Sequence, residues 1–198
     1  MRSALFACIS LVSLSGGIAS AQMPGMQRLQ GTVSVVSDTS LTLATADGAK
    51  TVALLPNRSV TVTAPIAVDR IVPGSYVATA NKSQPDGTGV SVEIRVYPPD
   101  SPRFDVNRAM DASGETMMTN GKVATAVSSD GGRLLTVDYG SGKRQIRVPP
   151  EITVISNTPG SAALVKVGVK LSIVNLPAMG ERPAAQIITI AKADLPPQ

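Results

Sequence analysis

One pattern runs through this chain twice, and the second copy keeps step with the first. Leu41-Thr42-Leu43 matches Leu135-Thr136-Val137, and Gly48 matches Gly142. Val52 and Leu54 match Ile146 and Val148, Pro56 matches Pro150, Gly74 matches Gly168, and Ile94 matches Ile188. All of these pairs lie 94 positions apart. The Val60-Thr61-Val62 run is set against Ile152-Thr153-Val154. Gly31-x-Val33 matches Gly121-x-Val123 at a spacing of 90, because the second copy has four extra residues in its first turn, around Ser129-Asp130-Gly131-Gly132. Chance likeness between valine-rich strands does not hold turn glycines and prolines in step. The repeat, about 65 to 70 residues, is longer than the units of roughly 20 to 50 that stack into solenoids. Each copy is the size of a small, marginal domain.

Within a copy, the apolar period is two, the signature of half-buried strands. Val92, Ile94 and Val96 alternate with Glu93 and Arg95. Asp47-Gly48 is a hairpin signal, and Pro73-Gly74 is a turn in which glycine takes positive φ. The order is three strands, a short extended piece, one helical turn within Pro65 to Val72, and two more strands. That is the order of a five-stranded Greek-key barrel of the OB type. The expected fold is therefore all-β, with two tandem small OB-like Greek-key β-barrels, each of about five to six strands with one short helical turn. A single β-sandwich formed by both copies is the alternative. The expected organisation is a signal peptide over 1–21, a flexible N-terminal tail over 22–30, a first barrel over 31–97, a linker over 98–120, a second barrel over 121–192 and a C-terminal tail over 193–198. A short helix is expected from Asp105 to Ala112 within the linker.

The N-terminus reads as an export signal. Arg2 precedes an apolar run from Ala4 to Leu14, and Ala19-Ser20-Ala21 supplies the small residues of a cleavage site. Cleavage is expected after Ala21, leaving a mature chain that starts at Gln22. The apolar run is shorter than the roughly 20 residues a membrane span needs, and the later stretch Ala162 to Leu176 is broken by Lys166 and Lys170. The mature chain is expected to lack a transmembrane segment and to be periplasmic or secreted. Cys8, the one cysteine, falls inside the signal, so the mature chain has no thiol or disulfide chemistry.

The chain contains no histidine. That excludes a Ser-His-Asp triad and any histidine-ligated metal site. Asp105, Asp111 and Glu115 read as solvated charges, with no partner that would make a hydrolytic pair. No cofactor, catalytic residue or metal ligand is expected, and the chain is read as a non-enzyme. Six methionines follow the expected cut, and Met23-x-x-Met26 with Met117-Met118 would suit Cu(I) if the tail met the linker. The reading preferred is gap-filling in mobile segments. Charge is uneven: residues 121–192 carry nine Lys or Arg against four Asp or Glu, whereas residues 31–97 carry five of each. Lys143, Arg144 and Arg147 cluster about one hairpin and form the candidate anion-binding site. The expected partner is an unknown envelope protein, a glycan or an anionic ligand. Nucleic acid is not expected, since single-strand sites stack bases on aromatic platforms and the second copy offers only Tyr139.

Several stretches together carry a resemblance: Gly-x-Val, Leu-Thr-Leu/Val, the glycine hairpin, Glu93-Ile94-Arg95-Val96, Pro85-Asp86-Gly87-Thr88 and Met118-Thr119-Asn120-Gly121-Lys122-Val123. The chain resembles a bacterial family of small exported proteins with tandem OB-like domains of unknown function. The resemblance spans nearly all of residues 30–192. It implies the fold and the compartment and brings no catalytic residues. Relatives sometimes labelled metal ABC transporter permeases do not alter this reading, because a permease needs several membrane-spanning helices.

Overall fold

The computed structural model describes residues 27–130, 132–176 and 185–196. The expected signal segment with Cys8 and the expected cut at Ala21, together with Met23, Met26 and Met179, lies outside the described residues. Among the described residues, short runs rich in Val, Ile, Leu and Thr fold as thirteen strands. These are β1 (Gln27–Val36), β2 (Ser40–Thr45), β3 (Gly48–Ala53), β4 (Ser59–Ile66), β5 (Tyr76–Ser83), β6 (Gly89–Tyr97), β7 (Val106–Ala109), β8 (Thr116–Ser129), β9 (Gly132–Asp138), β10 (Lys143–Val148), β11 (Val154–Pro159), β12 (Lys170–Leu176) and β13 (Ala185–Ala191). Three short 3-10 turns, Val68–Arg70, Ala162–Leu164 and Lys192–Asp194, are the only helical elements among the described residues. No helix there is long and apolar enough to cross a membrane.

Strands β10, β9, β8, β5 and β6 form a closed five-stranded barrel. Four antiparallel steps complete most of the ring, and Ile146 and Arg147 of β10 pair in parallel with Gly89 and Val90 of β6 to shut it. The sheet continues from β6 through β11 and β4 to β13, β12, β1, β2 and β3. At its far end the side chain of Gln186 on β13 reaches back to β3: Nε2 donates to the carbonyl of Ala53 at 3.2 Å, and Oε1 accepts from the Leu55 amide at 3.4 Å.

Neither hydrophobic core belongs to one repeat. One cluster joins Val33, Leu41 and Leu43 to Leu171, Ile173, Ile188 and Ile190. The other joins Ile71, Val77 and Ile94 to Val123, Leu135, Val137 and Ile146. Each such buried aliphatic side chain contributes about 1.5–3 kcal/mol relative to exposure. The closed barrel thus takes its last two strands, β5 and β6, from the first repeat and β8, β9 and β10 from the second. The boundaries 31–97 and 121–192 cut through both cores. The chain passes from one core to the other at Val68–Arg70 and passes back at Ala162–Leu164.

The pairing registers recur at the sequence offset. Val154 pairs with Ile94, and 94 positions away Val60 pairs with Ile188. The equivalence is thus Val60 with Val154, two residues from the match of Val60-Thr61-Val62 to Ile152-Thr153-Val154. Gly74 donates its amide to Val123 at 2.8 Å, and Gly168 donates to Val33 at 2.8 Å. Both glycines sit at φ near +90° (93° and 90°), where a side chain is strained. Strands β4 and β11 run antiparallel with Thr63 opposite Asn157, and those two residues are themselves 94 apart. An antiparallel pair centred on equivalent positions has two-fold register symmetry about that point.

Residues 105–112 do not form the expected helix. Val106–Ala109 are extended as β7 and pair with the first half of β8, from Asn120 to Met117. That half of β8 also pairs with β5, so β7 satisfies the edge left where β9 ends, and the sheet's demand overrides local propensity. The expected N-terminal tail is part of β1 from Gln27 onward, paired with β12. The expected C-terminal tail opens with the 3-10 turn Lys192–Asp194.

Candidate functional site

The basic hairpin does not converge on one point. Successive residues of a strand face opposite sides, and Arg144 shares its face with the buried Ile146 and Val148. One Nη of Arg144 donates to Ser83 Oγ at 3.0 Å and to the Thr88 carbonyl at 3.2 Å, bracing the β5–β6 turn. Its Nε is buried without a partner among the described residues. Lys143 and Arg147 are exposed on the opposite face. Lys143 Nζ lies 3.9 Å from Asp138 Oδ2, a distant contact between half-exposed groups worth little.

Behind Arg144, one end of the closed barrel is polar. Thr79 and Ser91 share a hydrogen bond of 3.0 Å between their hydroxyls. Asn81 is fully buried; its Nδ2 donates to Thr119 Oγ1 at 3.0 Å, and that hydroxyl donates to Asn107 Oδ1 at 2.8 Å. Asn81 Oδ1 has no partner among the described residues. Sequence reasoning missed this network, although an asparagine in the same strand position of both repeats, Asn81 and Asn175, was visible. In the other half Asn175 Oδ1 accepts from Gln186 Nε2 at 3.0 Å.

A cleft of about 470 Å³ lies where residues 98–105 strap the barrel beside β8 and β9. Tyr76 anchors the strap. Its Oη accepts the Phe104 amide at 2.8 Å, the Arg103 guanidinium carbon lies 6.0 Å from its ring centre, and Tyr97 packs edge-on at 6.2 Å. Burial pushes the Tyr76 phenol above its usual pKa, although the Phe104 amide works against that shift. Arg103, Asp105, Lys122 and Asp138 line the cleft, with Gly74 and Gly140 leaving room between them. Lys122 and Asp138 stand opposite one another on β8 and β9. Asp138 Oδ1 accepts the Gly140 amide at 3.0 Å, which fixes the carboxylate. Arg103 and Lys122 make no ion pair among the described residues. In the other half of the sheet the positions of Lys122 and Asp138 are filled by Thr32 and Ala44, which also pair.

Among the described residues no three His, Cys, Asp or Glu side chains gather as metal ligands. The carboxylates with displaced pKa, Asp86 and Asp111, are exposed turn residues. Their pKa is lowered chiefly by hydrogen bonds from Thr88 and Ser113, respectively, the opposite of what a general acid needs. Comparison of the chain with family models, with curated proteins and with solved structures returns no match.

Proposed function

We propose that the chain is a non-catalytic exported envelope protein that binds a charged ligand or partner at the strapped cleft. The fold reading that goes with it is two OB-like barrels derived by duplication, each completed by strands of the other repeat. One observation carries the functional reading. The two halves share their strand registers, yet four charged side chains gather at one end of one half, where the equivalent pair is Thr32 and Ala44. Stability alone does not call for that difference, since the uncharged pair holds the same strand positions. Two cations with no ion pair among the described residues, beside two carboxylates, suit a ligand with an anionic group and a neighbouring donor or cation, as in an acidic glycan or a zwitterionic peptide.

The test is a thermal-shift and calorimetric titration of the chain from Gln22 with an acidic oligosaccharide, a zwitterionic peptide and anionic vesicles at two salt concentrations. Saturable binding should raise Tm by mass action and weaken with salt. It should be lost in the Arg103→Ala, Lys122→Ala double variant and kept in Arg147→Ala. Binding that survives the double variant, or that needs Arg147, would overturn the assignment.

A structural role is the second reading. Strand β3 ends the sheet with β2 as its one strand partner among the described residues, and unpaired edges invite pairing between chains. A mass that rises with concentration, and that is abolished by a proline at Thr51, would favour it.

A further inference from the structure

A second concave site lies on the outer face of the closed barrel, and its chemistry differs from that of the cleft. Ala78 and Ala80 of β5 form the floor of a trough of about 240 Å³. Ala80 stands between Glu93 and Met118, and Ala78 between Arg95 and Asn120. Small side chains flanked on both strands by long ones make the depression. Its far wall carries two thioethers. Met118 is on β8 opposite Arg108 of β7, and Met110 follows two residues after Arg108, with its amide bonded to the Thr116 carbonyl at 2.8 Å. Met110 and Met118 are therefore diagonal neighbours on one face of the β7–β8 hairpin, within reach for long side chains, and both line the trough. Met117 is opposite Asn81 and faces the other way, so the adjacent Met117-Met118 pair does not act together.

A third donor faces the same space. Asn120 lines the trough, is 9% exposed, and its Oδ1 is buried without a hydrogen-bond partner among the described residues. A buried, unpaired amide oxygen is costly and calls for an occupant. Met110, by contrast, is 40% exposed, which leaves the trough open from outside.

We propose that this trough holds one soft monovalent cation, Cu(I) or its redox-inert analogue Ag(I), on the sulfur atoms of Met110 and Met118 with Asn120 Oδ1 beside them. Thioethers select Cu(I) over harder divalent ions. They carry no proton to lose, so such a site works without histidine or thiolate. The Glu93 carboxylate on the opposite wall is already paired with Arg95 Nε at 2.8 Å, so that wall is close to neutral and the cation rests on the uncharged donors.

The experiment titrates the chain from Gln22 with Ag(I), read by calorimetry and by the methyl NMR signals of 13C-labelled methionine. One equivalent should bind, shifting the methyl signals of Met110 and Met118 and leaving that of Met117 in place; Zn(II) should shift none. Met110→Leu and Met118→Leu, which conserve volume and cost little stability, should each abolish saturable binding. Met117→Leu should not, and Asn120→Ala should weaken it. Binding unchanged in the Met110→Leu, Met118→Leu double variant, methyl shifts confined to Met23 and Met26, or no saturable uptake by a folded chain would each overturn the proposal. A null result at the strapped cleft leaves this test untouched, since the two sites share no residue.

Discussion

Cutting the chain between the repeats discriminates sharply between independent domains and shared ones. A protease site placed at Pro99-Asp100, both exposed, would leave β1 to β6 on one fragment and β7 to β13 on the other. Among the described residues six strand pairings then cross the cut: β1 with β12, β4 with β11 and β13, β5 with β8, and β6 with β10 and β11. Both hydrophobic clusters also draw on both fragments. The cut chain should elute as one particle of unchanged size. What it loses is the tether. With an effective concentration near 1 mM for a short connector and fragments at about 10 µM, the loss is about 2.7 kcal/mol. For a chain of this size that lowers Tm by roughly 5–11 °C. Each tenfold dilution should remove about 1.4 kcal/mol more, whereas the uncut chain melts independently of concentration. Size-exclusion chromatography and differential scanning calorimetry over a dilution series provide the readout. Two fragments that separate while each keeps a cooperative melt would refute the exchanged arrangement.

Four further outcomes follow from individual residues. Gly121→Ala should cost about 1–3 kcal/mol in urea denaturation, because the added methyl meets the carbonyl oxygen of Asp138 on the neighbouring strand. Tyr76→Phe removes the acceptor of the Phe104 amide, so it should cost about 1 kcal/mol and speed proteolysis within 98–105. Burial raises the phenol pKa of both Tyr76 and Tyr97, so the fold favours their neutral forms; that stability is complete below pH about 10 and is lost as pH rises through the folded values. Absorbance titration should show both ionising later than free tyrosine. Arg144→Ala should cost about 1.5–3 kcal/mol, through two lost charge-assisted bonds, while Arg147→Ala stays within about 0.5 kcal/mol; equal effects would contradict the inward placement of Arg144.

Much of the local structure was legible in the residues. The alternation of Val92, Ile94 and Val96, the Asp47-Gly48 hairpin and the Pro73-Gly74 turn mark strands and reversals, because side-chain period and φ are local properties. Which copy each strand joins is not local. Strand β5 fits its own repeat and the other equally well by pattern, and the choice is made by how the Pro65–Ser75 and Pro159–Val169 crossings carry the chain between cores. Alternation alone places Arg144 on the face of Ile146 and Val148, so the splitting of the basic trio was readable from its spacing. The cleft was not, since Arg103 and Asp105 meet Lys122 and Asp138 only after the strap folds over Tyr76. Residues 105–112 went astray for the opposite reason: a weak local helical preference yields to an open sheet edge.

The pairing of β1 with β12 has a consequence for when the molecule can fold. Gln27 waits for Asn175, and Val60 for Ile188, so the core of Val33, Leu41 and Ile188 cannot close until the C-terminal strands have emerged, and the other core waits for Val154. Contacts this remote in sequence make acquisition of the native state slow. Under the proposed export that delay would be useful, because the first half, emerging alone, can close neither core.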